Sequence, residues 1–188
     1  MIAGPTLISH DPRPLRAHQA QITALVQAIA ARTASDVRDI LAAVTPGGGK
    51  SLLPVIAAAP LLGAGIIERI CWVVPRDSLR LQAEEAFADP AWRAILGHAV
   101  TVRAADNAPD PCRGLHGYIT TYQSIAAAPE LHLTEFRRHR YLLVVDEVHH
   151  LPGLADIAPD PGISHQATGI WLRMLARTRT SSTASRMV

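Results

Sequence analysis

The sequence predicts an α/β fold, with a mainly parallel sheet covered by helices on both faces. Three observations lead there. Apolar runs without polar alternation, such as Tyr141-Leu142-Leu143-Val144-Val145, alternate with segments of helical periodicity, as strands buried on both faces require. One strand candidate runs directly into Pro46-Gly47-Gly48-Gly49 before a helix. The last buried run delivers Asp146-Glu147 at its carboxyl end, where ligands of open α/β sheets bind. With 188 residues, 48% of them hydrophobic, one core and one main domain are expected, over residues 13–177. An N-terminal arm (1–12) and a tail (178–188) flank it.

The elements follow in order. Residues 14–32 read as a helix, because Pro14 suits a first turn and Ile22, Leu25, Val26 and Ile29 recur at helical spacing. Val37 to Val44 is a strand candidate, and a helix follows from about Gly49 to Ala59. Pro54 removes an N–H early in that helix and should distort its first turns. Ile66 to Val74 reads as a buried strand ending at Pro75, and Leu79, Ala83, Ala86 and Phe87 form the apolar stripe of the next helix.

A short strand over 99–103 and a loop over 104–114 come next. Tyr118 to Thr121 is a further strand, Glu130 to Arg138 a short helix, and Tyr141 to Val145 the buried strand already named. A Pro/Gly/Asp-rich loop covers 152–163, and Gln166 to Arg177 reads as a last helix. Thr178 to Val188 has six Ser/Thr residues and no periodicity, as a disordered tail would.

Composition narrows the setting. A net charge of +2 neither demands nor excludes nucleic acid. The one basic run, Arg137-Arg138-His139-Arg140, suits a solvated helix end or a phosphate contact. Two cysteines, Cys71 in an apolar run and Cys112 in a turn-rich segment, make no disulfide framework and read as reduced thiols of a cytoplasmic protein. No signal peptide is expected, since residues 1–14 carry three prolines and no apolar stretch of the needed length. The longest uncharged run, Leu52 to Ile67, is too short and too broken by proline and glycine to span a bilayer.

The chemistry concentrates in two places. Lys50 is the only lysine of the chain, and it closes the glycine loop in Thr45-Pro46-Gly47-Gly48-Gly49-Lys50-Ser51. Consecutive glycines permit positive φ, so that backbone N–H groups can point inward as an anion nest. The following helix turns its N-terminal dipole to the same anion. A compact ammonium there neutralises β/γ-phosphate charge better than a planar guanidinium would, and the Ser51 hydroxyl can ligate Mg²⁺. The strict pattern wants a small residue at its first position, where this chain has Val44. The second place is Asp146-Glu147-Val148-His149-His150. Asp146 suits a Mg²⁺ partner through water, and Glu147 a base orienting the attacking water. Zinc at Asp146, His149 and His150 is less fitting, because the His-x-x-x-His spacing of helical zinc sites is missing.

With these motifs, the chain resembles the first RecA-like motor domain of superfamily-two DEAD/DEAH-box-like helicases, over about residues 13–177. Asp146-Glu147-Val148-His149 matches their Asp-Glu-x-His box, and His150 is similar to the branch with type III restriction-enzyme motors and phage helicases. The resemblance implies a RecA-like phosphate-loop domain that binds ATP and Mg²⁺ and couples hydrolysis to movement on DNA or RNA. Lys50, Asp146 and Glu147 would be catalytic. Pro46, Gly47, Gly48, Gly49, Lys50 and Ser51 would bind the nucleotide, and Ser51 and Asp146 would bind Mg²⁺. Gln19, in Leu15-Arg16-Ala17-His18-Gln19, would read the adenine edge, and His149 would couple the two halves of the motor. Val74-Pro75-Arg76-Asp77-Ser78 and Thr120-Thr121-Tyr122-Gln123-Ser124 resemble the nucleic-acid segments, which points to Arg76, Ser78, Thr121 and Tyr122 as contacts, mainly to phosphates.

The family's next motif ends another apolar strand. Thr183-Ala184-Ser185 has its letters, but Thr178-Arg179-Thr180-Ser181-Ser182 before it is no buried strand. The sheet is therefore expected to lack its last strand, and the chain to be a truncated motor without the second RecA-like domain and its arginine finger. Hydrolysis by the isolated chain is expected to be weak or nil. Two other functions fit parts of the pattern: a non-catalytic nucleotide- or nucleic-acid-binding fragment that docks on a partner subunit, and a small phosphate-loop kinase. The kinase fits less well, because an Asp-Glu-x-His box serves water activation.

Overall fold

The computed structural model describes residues 14–148 and 168–176. Along the chain these form α1 (Ala17–Ala30), β1 (Asp39–Val44), a 3-10 turn (Lys50–Leu52), α2 (Leu53–Gly63), β2 (Arg69–Val74), α3 (Ser78–Ala88) and α4 (Pro90–Leu96). There follow β3 (Val102–Ala104), β4 (Gly117–Thr121), α5 (Tyr122–Ala127), α6 (Pro129–Arg138), β5 (Tyr141–Asp146) and β6 (Thr168–Leu175). The sheet runs β1-β6-β5-β2-β4-β3. β2 is parallel to β4 and β5, and β3 to β4, whereas β6 is antiparallel to both β1 and β5. β1 and β5 therefore point the same way, and their carboxyl ends share one edge of the sheet.

Period-two alternation assigns each strand's side chains to two cores. Ile70, Trp72 and Val74 of β2, Leu142 and Val144 of β5, and Ile119 of β4 face a large core. It is completed by Val26 and Ile29 of α1, Leu53, Ile56 and Leu61 of α2, and Phe87 of α3. Cys71, Val73, Tyr118 and Tyr141 face the other side, with Phe136 of α6 and Ile125 of α5 packed against them. Helices thus cover both faces, as expected from strands that carry no polar alternation. Pro54 sits in the first turn of α2, where its missing N–H has no intrahelical acceptor in any case. The irregularity expected of it is confined to the 3-10 turn just before.

The smaller core is partly polar. Buried Glu135 accepts hydrogen bonds from Arg69 Nη1 and from the Tyr141 hydroxyl, both at 2.8 Å. The Tyr118 hydroxyl meets His132 Nδ1 at 2.8 Å, and His132 Nε2 meets Asn107 Oδ1 at 3.3 Å. Burial pushes the Cys71 thiol from 9.0 up to about 12 and moves Cys112 in the same direction.

Two expectations are corrected. Residues 168–175, read as part of a helix over Gln166–Arg177, form β6. Ile170, Leu172 and Met174 alternate into the large core, while Arg173 between them is exposed. The local sequence tolerates either period; hydrogen bonding to strands on both sides selects the extended one. A helix here would leave the facing edges of β1 and β5 without backbone partners. The gap expected from a missing last strand is accordingly closed by β6, running antiparallel. Two short helices went unread in the sequence. α4 has a clear signature, with Asp89 Oδ1 accepting from Ala91 N at 2.8 Å, Pro90 opening the helix and Gly97 closing it at φ +61. α5 is capped by Thr121. The expected loop over 152–163 and the tail over 178–188 lie outside the described residues.

Two measurements check this fold. Leu172→Ala should cost about 2–4 kcal/mol in urea unfolding, and Arg173→Ala under about 1 kcal/mol. Met174→Ala should cost about as much as Leu172→Ala, because positions two apart share one face of a strand and lie on opposite sides of a helix. The raised thiols hold protons in the native state that the unfolded chain releases. Stability should therefore be full below about pH 9 and decline as pH climbs toward 12. An unchanged urea midpoint between about pH 8 and about pH 10.5 would contradict a buried, protonated Cys71.

Candidate functional site

The loop that leaves β1 is shaped by its glycines. Gly47 and Gly49 adopt φ of +74° and +79°, a region that side-chain-bearing residues avoid. Gly48 closes a turn by donating its N–H to the Thr45 carbonyl at 2.9 Å. A Cβ on Gly48 would lie 2.4 Å from Val44 Cγ1 and 2.7 Å from the Thr45 carbonyl oxygen. This explains the larger residue at the head of the loop, since the buried Val44 methyl fills the space that Gly48 leaves.

α1 braces the loop from the side. Arg16 Nη1 donates to the Gly47 carbonyl at 2.6 Å, and Gln19 Nε2 donates to the Gly49 carbonyl at 3.2 Å. Gln19 Oε1 in turn accepts the Arg16 N–H at 2.9 Å. The amide is buried and holds the N-terminus of α1 against the glycine loop. Gln19, Gly49 and Ser51 line one wall of a cleft of about 510 Å³, with Glu85, Asp89 and Trp92 across from them. Lys50 and Asp146 are not in its lining, so the cleft flanks the charged pair on the α1 side of the loop.

The two motifs meet at the shared sheet edge. Lys50, in the first turn after the loop, places Nζ 2.7 Å from Asp146 Oδ1 at the end of β5. The same oxygen accepts the Glu147 N–H at 2.9 Å, and Glu147 itself sits at φ +53°. Asp146 is 8% exposed, and Ser51, one residue past Lys50, is exposed to solvent. A Ser hydroxyl, a carboxylate and phosphate oxygens are the hard oxygen donors that Mg²⁺ takes, with water completing its shell. The donor set therefore fits that ion. Among the described residues no group of three metal-ligating side chains forms a cage of the zinc kind. His149 and His150 lie outside the described residues.

The segments expected to contact nucleic acid leave β2 and β4 side by side, since Val74 pairs with Thr121. Arg76 and Ser78 are exposed at the start of α3. Thr121 is buried and Tyr122 half-buried. Thr121 Oγ1 accepts the Ser124 N–H at 3.1 Å and caps α5. The Tyr122 hydroxyl donates to the Asp146 backbone carbonyl. Burial and the nearby Asp146 and Glu147 carboxylates push its pKa up to about 12, so it stays a donor at neutral pH. Arg16 and Tyr122 have structural roles at the site that their motifs alone did not signal. The only hint for Arg16 was its place three residues before Gln19.

A lysine against the acidic end of a buried strand, beside a glycine-rich loop, goes with an α/β domain of the RecA-like kind. Residues 14–171 match the family described as type III restriction enzyme, res subunit, and the chain belongs to this family of helicase-like ATP-binding motor domains. An uncharacterized protein of Mycobacterium leprae is 34% identical over 140 residues, 74% of this chain and 22% of that protein. Uncharacterized proteins of two Mycobacterium tuberculosis strains are each 34% identical over 137 residues, 73% of this chain and 21% of theirs. The chain thus spans about a fifth of the length of these relatives. No solved structure gives a significant match. Among the described residues no helix is long and apolar enough to cross a membrane.

Gly49 provides a local test. A Cβ there would lie 2.7 Å from Gln19 Nε2, whereas one on Gly47 meets nothing within 4 Å. Both substitutions carry the left-handed penalty of about 1 kcal/mol, so Gly49→Ala should cost about 1 kcal/mol more than Gly47→Ala. Adding Gln19→Ala to both variants should remove that difference in urea unfolding.

Proposed function

We propose that this domain binds Mg-ATP and couples its hydrolysis to movement along DNA or RNA. The observation that carries the reading is the 2.7 Å contact between Lys50 Nζ and Asp146 Oδ1, which joins the glycine loop to the acidic strand end. The Gly47, Gly48 and Gly49 backbone, with Pro46 shaping the turn, would cradle the phosphates. Lys50 would leave Asp146 for the β/γ-phosphate oxygens, which offer it more negative charge. Mg²⁺, when bound, neutralises phosphate charge, and Ser51 and Asp146 are the residues that would hold it. Glu147 would orient the attacking water and take its proton.

Gln19 holds the wall of the flanking cleft, and adenine is the base it would face there. Arg76 and Ser78 would meet backbone phosphates at the exposed start of α3. His149 would couple these events. We further infer that full hydrolysis draws on an arginine from a second RecA-like domain, since a guanidinium on the transferring phosphoryl is commonly worth about 10³–10⁵ in rate. Domain or subunit, it would close over the same sheet edge.

The test is Mg-ATP binding and phosphate release, with and without single- and double-stranded DNA or RNA. Lys50→Ala should weaken Mg-ATP by at least about tenfold, the loss of roughly 1.4 kcal/mol, and abolish any nucleic-acid-stimulated release. Equal binding and turnover in the parent and in Lys50→Ala would rule the site out. Transfer of the phosphoryl group to an acceptor other than water would favour a kinase instead.

A further inference from the structure

Tyr122 joins two strand ends that the sheet itself keeps apart. β2 lies between β4 and β5, so Thr121 and Asp146 end strands two spacings from each other, about 9.5 Å. Backbone pairing cannot connect them. Tyr122, the first residue beyond β4, reaches across the end of β2 and donates its hydroxyl hydrogen to the Asp146 carbonyl. Its ring packs against the smaller core, which holds the side chain along this path. A serine or threonine would stop short, and a phenylalanine would arrive without a donor.

The carbonyl it holds belongs to the peptide between Asp146 and Glu147. The N–H of that same peptide is held by Asp146 Oδ1 at 2.9 Å, and Oδ1 also faces Lys50 at 2.7 Å. Both ends of one peptide plane are therefore tied, and the residue it leads into sits in the left-handed region at φ +53°. At its other end Tyr122 is part of a fixed junction. Thr121 Oγ1 accepts the Ser124 N–H at 3.1 Å, and Asn107 Nδ2 donates to the Ser124 carbonyl at 2.7 Å. Hydrogen bonds thus connect the β4–α5 junction continuously to the Asp146–Glu147 peptide.

We propose that Tyr122 is a positioning residue that couples the nucleic-acid segment at the β4–α5 junction to Glu147, acting through the Asp146 carbonyl and not by touching a phosphate. It rests on the reading of Lys50, Asp146 and Glu147 as the nucleotide site and of Thr120-Thr121-Tyr122-Gln123-Ser124, with Gln123 exposed, as a nucleic-acid segment. The coupling is reciprocal, so nucleic acid should change the affinity for Mg-nucleotide by the same factor as nucleotide changes the affinity for nucleic acid.

Tyr122→Phe in the full chain tests it with two readouts. The first needs no ligand: hydrogen exchange over residues 142–148 should rise roughly threefold to tenfold, as loss of one hydrogen bond allows. The second is the ratio of Kd values for a fluorescent non-hydrolysable ATP analogue with Mg²⁺, measured with and without single-stranded DNA and RNA oligonucleotides. That ratio should depart from one in the parent and return to about one in Tyr122→Phe. A merely structural defect would weaken each affinity and leave the ratio in place. A parent-like ratio in Tyr122→Phe, unchanged exchange, or a ratio of one in the parent would each overturn the proposal. Lys50→Ala separates the two ideas, because an analogue that binds it as tightly as the parent defeats the nucleotide site itself.

Discussion

A buried peptide N–H or C=O without a partner costs on the order of 1–3 kcal/mol, and β5 carries six residues of such groups into the middle of the sheet. It is tolerated there because β2 pairs with one edge and β6 with the other. Both faces are apolar as well, Leu142 and Val144 toward the large core and Tyr141 toward the small one. A strand enclosed on four sides ends at its first charged residue, which is buried against a lysine. That residue is Asp146, and its position at the sheet edge is a consequence of everything that immobilises the five residues before it.

The ion pair with Lys50 is best understood in that light. Its side chains are 18% and 11% exposed, so both charges are partly desolvated. Such pairs contribute little net stability, because the desolvation cost roughly cancels the attraction. What the contact does provide is a geometric link between the glycine loop and the acidic strand. A ligand with more negative charge can take the lysine over. Around it, Arg16 and Gln19 stiffen the loop by binding the Gly47 and Gly49 carbonyls. Both contacts take carbonyls of the loop, and Gly48 spends its N–H on the Thr45 carbonyl.

Much of this site could be read from local chemistry. Three glycines before a lone lysine, and an acidic pair after an apolar run, signal their tasks through residue type alone, and the strands of the parallel core were legible because they lack polar alternation. The failures share one cause. Residues 168–175 carry apolar positions compatible with either period, and only the unpaired edges of β1 and β5 choose the strand. Val44 looked too large for its place, until the turn brought its methyl into the space above Gly48. Nothing in Thr120-Thr121-Tyr122-Gln123-Ser124 reveals that the Tyr122 hydroxyl has an acceptor on another strand.

The amino-acid sequence by itself determined the α/β class, the two charged motifs and the residue types that phosphate and Mg²⁺ chemistry need, because each depends on neighbours a few positions away. Only the tertiary structure decided that β6 runs antiparallel between β1 and β5, that Lys50 meets Asp146, and that Tyr122 bridges β4 to β5 across β2. Those are contacts between segments far apart in the chain. They are set by which backbone edges and buried polar groups remain to be satisfied once the rest of the sheet has formed, and no local pattern encodes that remainder.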